Sequence, residues 1–215
     1  MTIKRAQQLA LWADELRSIA NAGLRWSHDN PYDASRYQRV LRIAADIFAA
    51  QDVRDADAIE DAYKGDLSHL TPYATGDAAI FNDQGQILLI QRNDDHLWAM
   101  PGGMYDVGET AAEGSCREAF EETGLRVEPV ALIGVYDSRR YGSRTRAHLY
   151  QFVFACRMIE PGAQPIVTHE TLDVGWFGED DLPPLSIGHT VRVPDAFRWQ
   201  RGSVTQAIFD RSASM

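Results

Sequence analysis

The chain has 215 residues, 45% of them hydrophobic, enough to bury a sizeable core in one large domain or two small ones and too many for a disordered protein. A formal net charge of −10 argues against non-specific binding to DNA, RNA or anionic lipid, but not against a small nucleotide held by a metal and a few arginines. No segment is long and apolar enough to cross a bilayer, the N-terminal stretch with Asp14 and Glu15 is no secretory signal, and the expected location is the cytoplasm.

From residue 3 to about 21, Leu9, Trp12, Leu16, Ile19 and Ala20 recur at helical spacing, and Gly23 is the expected stop. After the turn residues His28, Asp29, Asn30 and Pro31, a second helix is expected from an N-cap at Asp33, with Tyr37, Val40, Leu41, Ala44, Ile47 and Phe48 on one face. Residues 55–63 predict a third, short helix. Each helix has a single apolar stripe, so these elements must pack on each other, on the next domain or on another subunit, and a homodimer formed through them is the expectation. Trp26, Tyr32 and Tyr37 read as packing residues or as base-stacking or dimer contacts. Residues 67–75, with Pro72, read as a linker, which divides the chain into a helical extension over 1–70 and a second domain over 71–215. There, residues 77–81 and 86–91 flank the turn signal Asn82-Asp83-Gln84-Gly85 and predict a β-hairpin. Gly102 and Gly103, preceded by Pro101, would let the backbone pass close to bound phosphates.

Residues 103–125, GMYDVGETAAEGSCREAFEETGL, carry the strongest signal. Thr110 and Glu113 have capping-box spacing, so a helix is expected from Ala111, ended by Gly124. On its wheel Glu118, Glu121 and Glu122 share a narrow sector with Gly114 and Ser115 a turn earlier, while Ala112, Cys116, Ala119 and Phe120 form the core-facing stripe. Like charges at these spacings cost about 0.2–0.5 kcal/mol per pair, and acids near a helix C-terminus also oppose its dipole. Arg117 offsets part of this through Glu121, but one guanidinium does not balance three acids. A hard cation does: Mg²⁺, or Mn²⁺, with Glu118, Glu121, Glu122 and Glu109 as oxygen ligands and small neighbours leaving space for a phosphate. The alternative for the acids alone is a solvated face. Cys116 and Cys156 are too few for a disulfide framework and read as buried free thiols.

The spacing is Gly103, five residues, Glu109, seven residues, Arg117-Glu118-Ala119, one residue, Glu121-Glu122, one residue, Gly124-Leu125. This resembles the Nudix box at every defining position. The resemblance implies an α+β fold, a Nudix α/β/α sandwich with a mixed sheet, and divalent-metal-dependent hydrolysis of a diphosphate linked to a nucleoside. It also implies that Arg117 orients Glu121. Residues 12–48, with the later PPLSIGHT, are similar to a Nudix subgroup with an N-terminal helical extension, which includes CDP-choline and ADP-ribose pyrophosphatases.

Strand character follows over 130–137 and 147–158. Between them Arg139, Arg140, Arg144 and Arg146 crowd into a loop that either holds the substrate diphosphate or is simply solvated. Tyr136, Tyr141 and Tyr150 are candidates for stacking on a base, with core placement the alternative. Glu170 precedes a short strand over 172–177. Nudix enzymes sometimes place a general base in this loop, so Glu170 is one candidate base and Glu121 of the helix the other, with a surface acid the plainer reading of Glu170. A terminal helix is expected over 195–209, packed through Phe197, Ile208 and Phe209. A nucleotide-sensing regulator and an RNA-end-processing protein are the competing functions.

Overall fold

The computed structural model describes residues 3–26, 30–68, 70–142 and 147–211. The chain forms two compact units, one from Met1–Pro72 with Arg144–His148, the other from Tyr73–Ser143 with Leu149–Met215.

The first unit contains α1 (Ile3–Trp26), α2 (Pro31–Ala49) and α3 (Ala56–Gly65) around a core of Ala20, Leu41, Ala44, Ala45, Ile59 and Tyr63. Gly23 does not end α1. A Cβ there would stand 2.3 Å from the Tyr37 ring, so this glycine permits a close crossing of α1 and α2. The second helix begins two residues before Asp33. Asn30 is the N-cap, its side chain accepting from the Tyr32 and Asp33 amides, and Pro31 occupies the position where a missing N–H costs nothing. Asp55 caps α3 through the Ala58 amide at 2.8 Å.

The second unit runs through β1 (Tyr73–Ile80), β2 (Ile87–Arg92), β3 (Trp98–Ala99), β4 (Gly102–Met104), α4 (Ala111–Thr123), β5 (Val127–Asp137), β6 (Leu149–Met158), β7 (Thr171–Phe177), α5 (His189–Gln200) and β8 (Ile208–Phe209). One mixed sheet has the order β4-β1-β6-β5-β8, with β1 parallel to β6 and β5 parallel to β8, and a second, antiparallel sheet has the order β3-β2-β7. Strand periodicity sorts side chains between two cores. Ala79, Ile87, Leu89, Val153 and Ala155 join Val193, Ala196 and Phe197 of α5. Their neighbours Ala78, Ile80, Leu88 and Cys156 join Ala119 and half-buried Cys116 of α4. The helices thus cover opposite faces, the expected α/β/α arrangement.

In this unit three further expectations change. The Asn82–Gly85 turn forms, with Gly85 at φ 73°, but β1 and β2 pair only at the Phe81–Ile87 bridge and then enter different sheets. Each already has a neighbour on both sides, β4 and β6 for β1, β3 and β7 for β2, so no hairpin ladder can form. The first strand also starts at Tyr73, inside the expected linker. Finally, the last helix starts at His189, contains Pro194 and ends at Gln200, whereas Ile208 and Phe209 form a strand. Its buried residues His189, Arg192, Val193, Ala196 and Phe197 keep i, i+3, i+4 spacing, so packing carries the helix through the proline.

Candidate active site

The helix α4 has the capping box Thr110–Glu113, and Gly124 closes it in the left-handed conformation at φ 71°. Its buried positions are Gly114, Ser115, Ala119 and Thr123. Phe120, expected in the core, is 45% exposed with the Arg126 guanidinium over its ring. Nor do Gly114 and Ser115 leave open space: Tyr105 packs on Gly114, and its hydroxyl lies 3.0 Å from Ser115 Oγ.

Room is made instead on β4. Gly102 pairs with Asp77 of β1, and a Cβ on it would stand 2.2 Å from the Gly76 carbonyl. A Cβ on Gly103 would stand 2.7 Å from the Glu118 carboxylate. The helix carboxylates therefore lie directly on the strand, where the Gly102 N–H donates to Glu122 Oε2 at 2.8 Å.

Among the described residues, one group of acids could hold a metal ion: Glu118, Glu122 and Glu170, each offering an oxygen within 4.8 Å of the others. Burial pushes the Glu122 carboxyl up to about 8, with the Glu118 charge adding to the rise and the Gly102 amide and Arg92 opposing it. Burial also raises Glu118, against the pull of Arg117.

Glu109 and Glu121 turn to Arg117 and lie outside this group. The guanidinium donates to both Glu109 oxygens at 3.1 and 2.8 Å, to Glu121 at 2.8 Å, to Glu118 at 3.0 Å and to the Met104 carbonyl at 3.0 Å. These bonds, the Glu109 pair foremost, hold Arg117 above and Glu109 below their ordinary pKa values. Arg117 thereby ties β4, the segment before α4 and α4 itself into one frame.

Tyr136 is 1% exposed and donates to Asp195, so its ring is covered by core rather than open to a base. Arg139 is engaged by Asp137, Arg140 is exposed, and Arg144 and Arg146 fall outside the described residues. Tyr150 is exposed, and the Tyr141 hydroxyl donates to Asp210.

Behind β4 lies a polar network that the sequence reading missed. Buried Arg192 places Nε 2.8 Å from the Asp77 carboxylate, donates to Gln151 at 2.5 Å and meets His189 at 2.9 Å, while His189 Nδ1 lies 3.3 Å from the Met100 amide. Burial, reinforced by Arg192, holds His189 well below its ordinary pKa and so neutral. The signal available was an arginine and a histidine three residues apart, on a face otherwise apolar.

Residues 72–199 match the family model of the NUDIX domain. The chain belongs to the Nudix hydrolase family. Residues 7–63 match a second model, the UDP-X-like, N-terminal oligomerisation domain. A putative ADP-ribose pyrophosphatase of Bacillus subtilis is 35% identical over 175 residues, 81% of this chain and 82% of that protein. An ADP-ribose pyrophosphatase of Methanocaldococcus jannaschii is 33% identical over 62% of this chain and 78% of its own. Among solved structures, an ADP-ribose pyrophosphatase from Streptococcus suis aligns with a TM-score of 0.57 at 32% identity, over 65% of this chain and all of that one. A UDP-X diphosphatase aligns over 95% of this chain and 99% of its own with a TM-score of 0.59, at 24% identity a likeness of fold. As a Nudix hydrolase, the protein is a pyrophosphohydrolase, and its three grouped carboxylates lie on the Nudix helix and the loop before β7.

Proposed function

We propose that this Nudix hydrolase cleaves the diphosphate bond of a nucleoside diphosphate joined to a second group, of the ADP-ribose or CDP-choline type, with Mg²⁺ or Mn²⁺ as the required ion. The observation that carries this reading is the convergence of Glu118, Glu122 and Glu170 beside Gly102 and Gly103. The residues fit such an ion: the donors are hard carboxylate oxygens, and glycine at 103 vacates the space in which the Glu118 carboxylate lies. Glu118 and Glu122 would hold the ion, which when bound supplies positive charge against the two phosphates. The chain does the rest. The Gly102 N–H fixes Glu122, Arg117 fixes Glu118 and engages Glu121, and Glu170 takes the proton of the attacking water.

The ADP-ribose type ranks first because the 35% and 33% identical relatives carry that description. Incubation with Mg²⁺ and ADP-ribose, CDP-choline, UDP-sugars, nucleoside triphosphates and a short 5′-triphosphorylated RNA, with each phosphorylated product identified, tests the reading. AMP and ribose 5-phosphate from ADP-ribose are expected. Binding without cleavage of any substrate would instead favour the nucleotide-sensing regulator, and cleavage of the RNA alone the end-processing enzyme.

Residues 1–70 would serve assembly and 71–215 catalysis, in a cytoplasmic homodimer. The match to an oligomerisation domain and the half-exposed Trp12 and Ile19 of α1 support that assignment.

A further inference from the structure

The loop that carries Glu170 is fastened to the last turn of α4, at the backbone of Glu122. Helix ends leave carbonyls without intrahelical partners. Here the Glu122 carbonyl accepts from the hydroxyls of both Thr168 and Thr171, at 3.4 Å each, and the Thr123 carbonyl accepts the Ile166 amide at 2.9 Å. The two hydroxyls also accept: Thr171 Oγ1 takes the Thr168 N–H at 3.2 Å, and Thr168 Oγ1 takes the Glu170 N–H at 3.3 Å. From the other side, Asn93 Nδ2 donates to the Glu170 carbonyl at 2.7 Å. Gly124 completes the seat, since a Cβ there would stand 2.9 Å from Ile166.

Every hydroxyl in this chain of bonds both donates and accepts, and the Glu122 carbonyl uses two acceptor sites, so the pattern is chemically closed. Glu122 thus acts at two levels. Its side chain belongs to the carboxylate group, and its carbonyl anchors the residues on both sides of Glu170. We propose that Thr168 and Thr171 are positioning residues, which lock the Glu170 loop to the helix end and so hold the Glu170 carboxylate against Glu118 and Glu122. This rests on the role given to Glu170 above.

Thr171 is buried, and Thr171→Val deletes the hydroxyl while keeping its outline. In the full chain the substitution is expected to lower kcat about 10- to 100-fold with KM changed less than about threefold, the range seen when partners that orient a reactive side chain are lost. Thr171→Ser, which keeps the hydroxyl, is expected to restore turnover. Hydrogen exchange gives a readout independent of activity: the amides of Ile166, Thr168 and Glu170 are expected to exchange faster in Thr171→Val. The decisive comparison is a double-mutant cycle. If Thr171 acts through Glu170, adding Thr171→Val to Glu170→Gln lowers kcat no further.

Additive losses, or a Thr171→Val enzyme with wild-type kcat beside an impaired Glu170→Gln, would overturn the clamp and leave the function of the site standing. A fully active Glu170→Gln would remove the role of Glu170 and the clamp with it. Should Thr171→Val not fold, Thr168→Val, at a half-buried position, is read by the same criteria.

Discussion

At Glu122, burial and the charge of Glu118 both favour the protonated carboxyl. Its carboxyl, raised from 4.5 to about 8, keeps a proton in the native chain that the unfolded chain has released. Between those values the native state binds more protons than the unfolded one, so this group's contribution to stability is present below about 4.5 and is lost as pH rises toward 8. Without divalent ion, the melting temperature of the wild type is expected to fall from pH 5 to pH 8 more steeply than that of Glu122→Gln. Adding Mn²⁺ at pH 8 is expected to raise the melting temperature of the wild type and not of the variant, by ligand linkage. Scanning calorimetry of both proteins with and without ion checks the pair. In turnover, Glu118→Gln and Glu122→Gln are each expected to lose about 100-fold or more in kcat, since each would hold the ion that stabilises charge at the diphosphate, and losing one such electrostatic contact costs on that scale. Arg117→Lys keeps the charge but not the planar fork that meets both Glu109 oxygens, Glu118 and Glu121, and is expected to lower kcat about 10-fold or more. Steady-state kinetics at saturating substrate decides both.

Among the elements, α4 was legible nearly in full. Its start, its stop and its acids are local: Thr110, Glu113 and Gly124 act within a turn of themselves. Periodicity does not show which neighbours the helix meets: Phe120, core-facing by period, is half-exposed, and Tyr105 fills the space beside Gly114. The β1–β2 hairpin failed for the same reason, because a turn signal is local and the choice of partner strand is not. For α5, the burial of Arg192 and His189 is made tolerable by Asp77 and Gln151, partners distant in sequence. Glu170 is a candidate base only through the resemblance, and the threonines that hold it carry no sequence signature. At this scale, Gly103→Ala tests the fit of β4 under α4. The added methyl meets the Glu118 carboxylate, so kcat is expected to fall at least about 10-fold while circular dichroism stays unchanged. Gly23→Ala drives a methyl into the Tyr37 ring and is expected to cost about 1–3 kcal/mol in denaturant unfolding.

For the whole molecule, the assembly expectation depends on the helical unit, where Trp12 and Ile19 lie seven residues apart on α1 and are each 50% exposed. Two turns of helix separate them, so they share one face. The double substitution Trp12→Glu and Ile19→Glu is expected to turn a dimer into a monomer by light scattering, and a monomeric wild type would remove the proposal. The catalytic unit has a mechanical consequence of its own. The chain passes between the two sheets at the turn between β1 and β2, at Met100–Pro101 between β3 and β4, and again between β6 and β7, where it carries Glu170. Gly102 is therefore attached to the five-stranded sheet, while Glu170 leads into β7 of the three-stranded one. Because Thr168 and Thr171 bond the Glu170 loop to the helix whose Glu122 carboxylate is held by the Gly102 N–H, a change in the angle between the sheets would load those bonds before it moved the carboxylates apart.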